Sequence, residues 1–519
     1  MTDTADLSRR AFLGGAAAAG AGALATGTRW PAILGLTGRN LQVRVRQNLA
    51  TLDHASATLQ SFERGLIALA ALDGRNPPDP RSLSFQAAIH GTWVNPALPA
   101  WNQCQHGSFF FLSWHRMYLY YFERLIRVAS GDNTFALPFW NYTVASPASR
   151  QLPLPFRQPA DHATNPLFWP APYRDPNINN GYVLADRDVD SSQALAETAF
   201  TPAGRALGFG GAAVTRPIHN GNQPGMLELR PHNTIHSAMG GLMALPSTAA
   251  LDPIFWCHHA NIDRLWQLWL AQGGGRADPT ANGEWMGRRF TFFLPDGNLV
   301  QLSGRDVLYT GQQLDYVYGA AEETLAATTT PTRADQPRQN VTTQPVRFFR
   351  SPDVWPPAPP VPAADVAASA DGVTLADASA QVAIPLSARF RNTDRQRVVL
   401  SLEGIDVAES PRVTYDVRID GPEPAYVASI DYFGLHEASL RHQMERGGAM
   451  HKDVRDETLI ADVSDIVHGM IAAHRWPDNH VTVTFEPHSY VELHPGDTIT
   501  AGVSTHIRRV ALWLLPAAR

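Results

Sequence analysis

Two sets of histidines, roughly 120 residues apart, are spaced like the halves of a metal site. His90, His106 and His115 form the first, with Cys104 two residues before His106. His232, His236 and His259 form the second; His259 lies in the string Asp252-Pro-Ile-Phe-Trp-Cys-His-His-Ala-Asn-Ile-Asp263. Six neutral imidazoles with no carboxylate among them suit copper better than magnesium, calcium or manganese. Two three-histidine sites facing each other make a dicopper centre, which binds dioxygen.

The elements that must position these rings follow from spacing. His232 and His236 are four apart, so on a helix they share a face and grip one ion. His259 comes from the next helix. It adjoins His258, and neighbours on a helix diverge by roughly 100°, so only one of the pair easily faces that metal. Asp263, one turn beyond His259, is placed to fix its imidazole as a hydrogen-bond acceptor behind the metal. His115 sits mid-helix among Phe110, Phe111, Trp114 and Tyr118, near whose start lies His106; His90 comes from the preceding helix. A single histidine is more often packed or solvated than metal-bound. His54, His162 and His219 keep that plain reading, as do those from His436 to His506, which lack ligand spacing.

The chain has 519 residues, 44% hydrophobic and 17% charged, enough for two or three domains with a large core. A net charge of -6 and the lack of a basic stretch exclude a nucleic-acid binder. No apolar run reaches the length of a membrane span. Two cysteines exclude a disulfide framework; Cys257 reads as a small buried hydrophobe, whereas Cys104 stands beside a ligand.

Residues 1–27 read as a twin-arginine signal peptide: Ser8-Arg9-Arg10-Ala11-Phe12-Leu13, a mild Ala/Gly/Leu stretch, then Ala23-Leu24-Ala25. The route carries folded proteins and predicts a periplasmic or secreted product. Residues 28–320 form the metal-binding domain. Apolar spacing predicts helices over 40–72, over 83–90, from Phe109 to Val128, and over 225–245 and 252–272. Phe290 to Leu302 reads as a hairpin turned at Asp296-Gly297. Residues 321–380, rich in Ala, Thr and Pro, read as a linker, and 381–519 alternate apolar and polar residues as an antiparallel β-domain. The expected architecture is a mainly α core, a four-helix bundle with short strands around the dicopper site, followed by a β-sandwich or jelly-roll-like domain.

The flanking strings add a resemblance. His106-Gly-Ser-Phe-Phe-Phe-Leu-Ser-Trp-His115-Arg-Met-Tyr resembles the first copper motif of the tyrosinase and polyphenol oxidase family; Pro231-His-Asn-Thr-Ile-His236 and Asp252 to Asp263 resemble the second. The segment from Arg289 to Tyr318 is similar to the one that follows the core in plant polyphenol oxidases, and 397–487 more weakly to their C-terminal domain. The resemblance implies two copper ions, one held by His90, His106 and His115, the other by His232, His236 and His259, with dioxygen as co-substrate. Cys104-Gln-His106 departs from the plant pattern and resembles the fungal and molluscan one, which implies a Cys104–His106 thioether. Glu228 and Asn233 match residues that hold and polarise a water acting as base.

The function this implies is oxidation of o-diphenols, and of monophenols, to o-quinones. Met243 and Pro246 are expected to border an open entrance, and the C-terminal domain to cover it with Phe433 or Leu435 as a plug that a protease could release. The other readings are an o-aminophenol oxidase and, from a different class, an oxygen carrier like the related haemocyanins.

Overall fold

The computed structural model describes residues 43–94, 97–201, 208–217, 219, 223–319, 349–350, 365–386, 396–421, 424–430, 432–435 and 458–516. The expected signal peptide and most of the expected linker lie outside them. Two compact units are distinguished, residues 1–330 and 331–519.

In the first unit the main helices are α1 (Ala57–Ala70), α2 (Leu83–His90), α3 (Phe111–Ser130), α4 (Thr234–Met239) and α5 (Ile254–Ala271). Ser56 and Ser82 cap α1 and α2 by accepting the N–H groups of Leu59 and Phe85. The helix α1 buries the stripe Leu59, Phe62, Leu66 and Leu69. At Gly65 it approaches α3 so closely that a Cβ would stand 2.8 Å from Ile126 Cγ2. Most of α3 is buried, and it ends at Gly131 in the left-handed conformation (φ 73°). Phe122 of α3 stacks on Trp256 of α5.

The expected helix over 225–245 is broken. Arg230, at φ −153° and ψ 128°, interrupts the stretch Glu228–Asn233. Pro231 has no N–H and disfavours the α conformation in the residue before it. The helix α4 then stops at Gly240 (φ 62°), and Gly241–Ala244 form a tighter turn.

The start and end of this unit meet in a parallel pair, β1 (Arg44–Arg46) on β4 (Tyr316–Tyr318). Between them lies the expected hairpin, β2 (Phe290–Phe293) and β3 (Leu299–Leu302), closed around Gly297 at φ 85°.

The second unit holds two antiparallel sheets. One orders β10 (Ala425–Ser429), β9 (Val413–Ile419), β12 (His480–Ser489) and β7 (Ala380–Pro385). The other orders β5 (Phe349–Arg350), β11 (Thr458–Asp462), β8 (Gln396–Val407), β13 (Thr505–Pro516) and β6 (Asp365–Leu375). One apolar core joins them, from Tyr415, Val417 and Phe485 of the first sheet to Leu400, Leu402, Val510 and Leu512 of the second. The stretch 321–380 is therefore not all linker, because β5 and β6 fall inside it. Leu435 belongs to this same core, which removes it as a plug. Phe433 is also buried. No helix among the described residues is long and apolar enough to cross a membrane.

Candidate metal centre

The six predicted histidines converge. His90 is the last residue of α2, His115 lies on α3, His236 on α4 and His259 on α5. His106 comes from the segment before α3, where the Gly107 N–H donates to Glu228 Oε1 at 2.7 Å, and His232 from the broken stretch before α4. Ring centroids of His90, His106 and His115 are 5.2–5.6 Å apart. Those of His232, His236 and His259 are 4.6–5.4 Å apart. The two trios face each other through His115 and His259, stacked at 4.4 Å and 8°. All six are buried.

Four of the six rings are oriented through Nδ1 by an oxygen. A carbonyl oxygen only accepts, so Nδ1–H of His90 donates to Pro246 at 2.7 Å, that of His115 to Phe111 at 2.8 Å, and that of His236 to Met243 at 2.7 Å. His232 Nδ1 meets Asn233 Oδ1 at 2.7 Å. This tautomer leaves Nε2 as a lone pair facing inward. Nε2 of His90 and His115 have no hydrogen-bond partner among the described residues, and His236 Nε2 stands 3.3 Å from His259 Nε2. Two nitrogens about 2 Å from one ion are about 3 Å apart, so that spacing is one a shared metal satisfies.

Burial, before any other cause, holds six of these imidazoles well below the ordinary histidine range, and mutual repulsion adds to it; the six are His90, His106, His232, His236, His258 and His259. His115 is pushed down to about 3 by burial, against its bond to Phe111. The rings are neutral, and a cluster of neutral buried imidazoles with inward lone pairs fits copper.

Several expectations need correction. Asp263 does not orient His259, whose Nδ1 has no hydrogen bond among the described residues. Its carboxylate instead takes Arg116 Nε at 2.5 Å, Arg46 Nη1 at 3.4 Å and the hydroxyls of Tyr316 and Tyr318 at 2.5 and 2.6 Å. Two guanidinium charges outcompete a neutral imidazole. Burial raises the pKa of this carboxyl, but Arg116, Arg46 and the two phenols overcome that and hold it below the usual range.

Met243 and Pro246 do not rim an entrance. Both are buried, and their main-chain oxygens orient His236 and His90. His258 also brings a ring nitrogen within 4.8 Å of those of His232, His236 and His259, although only one of the adjacent pair was expected to face that metal. Cys104 Sγ lies 3.2 Å from His106 Nδ1, but also 3.1 Å from Nδ1 of His219, which the sequence reading had set aside. No spacing marks His219; it stands in a loop 115 residues beyond Cys104. Phe255, 4.2 Å from His259 and 4.9 Å from His90 by ring centroids, was also missed. Its place in an apolar run reads only as core.

Facing histidine trios on a helical core define the class of type 3 dicopper oxidoreductases. Comparisons with known proteins agree. Residues 80–272 match the common central domain of tyrosinase, and 280–328 the polyphenol oxidase middle domain. Tyrosinase HcTyr1 of Hahella sp. (strain CCB-MM4) is 34% identical over 86% of this chain and 96% of its own length. The latent form of polyphenol oxidase from Prunus armeniaca is 32% identical over 54% of this chain and 49% of its own length. Among solved structures, a latent aurone synthase (polyphenol oxidase) covers 93% of this chain and 91% of its own with a TM-score of 0.53 at 21% identity, a likeness of fold. The chain belongs to the tyrosinase and polyphenol oxidase family of copper-dependent enzymes that oxidise phenols.

Proposed function

We propose that the protein is an exported, latent oxidase that converts o-diphenols, and monophenols, to o-quinones with dioxygen. The observation that carries this reading is the pair of facing trios, four of whose rings have Nδ1 tied to an oxygen, with Nε2 of His236 and His259 3.3 Å apart. The full-length similarity to a protein named tyrosinase supports the monophenol activity.

His90, His106 and His115 would hold one copper and His232, His236 and His259 the other. Bound there, the two ions supply dioxygen binding and a sink for the substrate's electrons. The protein's own share is positional. Main-chain oxygens of Pro246, Phe111 and Met243 lock three rings in the ligating tautomer. The buried Glu228 carboxylate, fixed by Gly107 N–H, and the Asn233 amide are assigned to a water that takes the phenol's proton. With its oxygen turned to His232, Asn233 has its N–H2 left as the donor. A Cys104–His106 thioether is supported by the 3.2 Å approach of Sγ, and an intact mass lower by two hydrogens would reveal it.

Residues 1–27 serve as the export signal, and the β-domain screens the site until displaced, with Phe433 as the plug. The decisive experiment is copper stoichiometry together with catechol turnover, before and after limited proteolysis between residues 320 and 364. Two coppers per chain and a rise in turnover after cleavage are expected. One copper or none after loading overturns the assignment; unchanged turnover overturns the latency.

A further inference from the structure

His258 is a seventh imidazole at the centre, and its chemistry is set by a hydrogen bond that comes from outside it. The Tyr142 hydroxyl lies 2.9 Å from His258 Nδ1, and both side chains are fully buried. Burial pushes the Tyr142 phenol up, so it keeps its proton. A neutral phenol is the stronger donor of the pair and an imidazole nitrogen the stronger acceptor, so that proton is given to Nδ1. A neutral imidazole that accepts at Nδ1 carries its proton on Nε2.

The consequence differs from that for the rings around it. His90, His115 and His236 give Nδ1–H to carbonyls and turn lone pairs inward. His258 does the reverse and carries its N–H on Nε2. That nitrogen is buried and has no hydrogen-bond partner among the described residues, and the His258 ring lies 4.9–5.3 Å by centroids from those of His232, His236 and His259. A buried donor without an acceptor costs about 1–3 kcal/mol, so its persistence asks for a ligand that supplies one. A metal does not accept an N–H; an anionic oxygen does.

We infer that His258 donates an Nε2 hydrogen bond to the anionic oxygen of a phenolate or catecholate at the second copper position, with Tyr142 as its positioning residue. This rests on the dicopper reading above. It also supplies a reason why the ligand is His259 and not its neighbour: the tautomer of His258 is already committed.

The test has three readouts. First, copper content: His258→Gln, His258→Leu and Tyr142→Phe each retain two coppers. Second, titration of 4-nitrocatechol into the dicopper(II) protein. His258→Leu binds it about tenfold more weakly, the worth of a charge-assisted hydrogen bond. His258→Gln, which keeps an N–H at that reach, stays within about threefold of wild type, and Tyr142→Phe falls between. Third, 15N NMR of histidine-labelled dicopper(I) protein, which is diamagnetic: His258 shows a protonated Nε2 in wild type and shifts toward protonated Nδ1 in Tyr142→Phe. Should His258→Leu fail to fold, the Gln and Phe variants and the nitrogen shifts decide. Loss of one copper in His258→Gln, an unprotonated Nε2, or unchanged 4-nitrocatechol affinity in both His258→Leu and Tyr142→Phe would overturn the inference while leaving the dicopper reading intact. A wild-type chain without two coppers would overturn both.

Discussion

Two buried polar clusters share the same pair of helices, and they are built on opposite rules. On α3, His115 is followed by Arg116; on α5, His259 is followed one turn later by Asp263. The histidines form a neutral cluster in which four rings are tied at Nδ1 to an oxygen, and in which Nε2 of His90 and His115 has no hydrogen-bond partner among the described residues. Arg46, Arg116, Glu123 and Asp263, with Tyr316 and Tyr318, form an ionic cluster whose carboxylates are met from several sides. The Arg46 guanidinium also lies 3.6 Å over the Tyr316 ring. The first cluster asks for a guest, whereas the second pairs its charges within the protein. It clamps β1 and β4 onto the two helices that carry ligands.

The difference is most sharply broken by removing a ring. His236→Ala should lose the second copper and lower catechol turnover by at least about a thousandfold, since even partners behind a ligand cost about 10–100-fold. Its thermal midpoint without metal should fall less than that of Asp263→Asn, because no buried charge is left unpaired. A variant that keeps two coppers would show that His236 is not a ligand.

Asp263→Asn should do the opposite. It leaves Arg46 and Arg116 buried with less opposing charge, and breaking such a pair costs about 3–5 kcal/mol. Urea unfolding should register that loss, while copper stoichiometry at low temperature stays at two. If copper is lost with stability unchanged, the carboxylate belongs to the metal site after all.

That misassignment shows what the sequence held. The helices α1, α2, α3 and α5 were legible, because they rest on local periodicity, serine caps and a terminal glycine. So was the hairpin, set by Asp296-Gly297. The convergence of six histidines followed from spacing and from the strings around them. Asp263 was placed on the right face of its helix, but its partners come from α3 and from strands whose mates lie roughly 270 residues apart, and charge chose between them. The strand β1 has three residues and one distant partner, so no local pattern marks it. Met243 and Pro246 were named as side chains, whereas their main-chain oxygens do the orienting, and a sequence carries no sign of that. Tyr142 and His219 reach the centre from loops and have no spacing to show for it.

Acid separates the clusters by sign. His115 titrates near 3 when folded and near 6.5 when unfolded. Below pH 6.5 the unfolded chain therefore takes up a proton that the folded one refuses, and stability falls with pH until about 3. The slope is about 1.4 kcal/mol per pH unit, so His115 alone costs about 2 kcal/mol by pH 5. The other six imidazoles act in the same direction. Asp263, with its pKa held low, keeps its ion pairs throughout that window and loses them only in stronger acid. Urea midpoints of the metal-free protein should therefore fall between pH 6.5 and 5, and a flat profile would mean that the rings are not buried neutral.

The smallest effect tests how finely the neutral cluster is set. Gly91 follows His90 in extended backbone, and a Cβ there would stand 2.5 Å from the Pro246 oxygen. That oxygen is the acceptor for His90 Nδ1. Gly91→Ala must push Pro246 away, which loosens the tautomer and aim of one ligand while every ligand remains. Disturbing a partner of that kind costs on the order of tenfold in metal affinity. Competition with a copper chelator should show one of the two ions released more readily. The urea midpoint at neutral pH should move little, since the ionic cluster is untouched. Equal affinity for both ions in Gly91→Ala would mean that His90 holds its aim without Pro246, and that the neutral cluster is less dependent on its outer oxygens than the four short Nδ1 bonds imply.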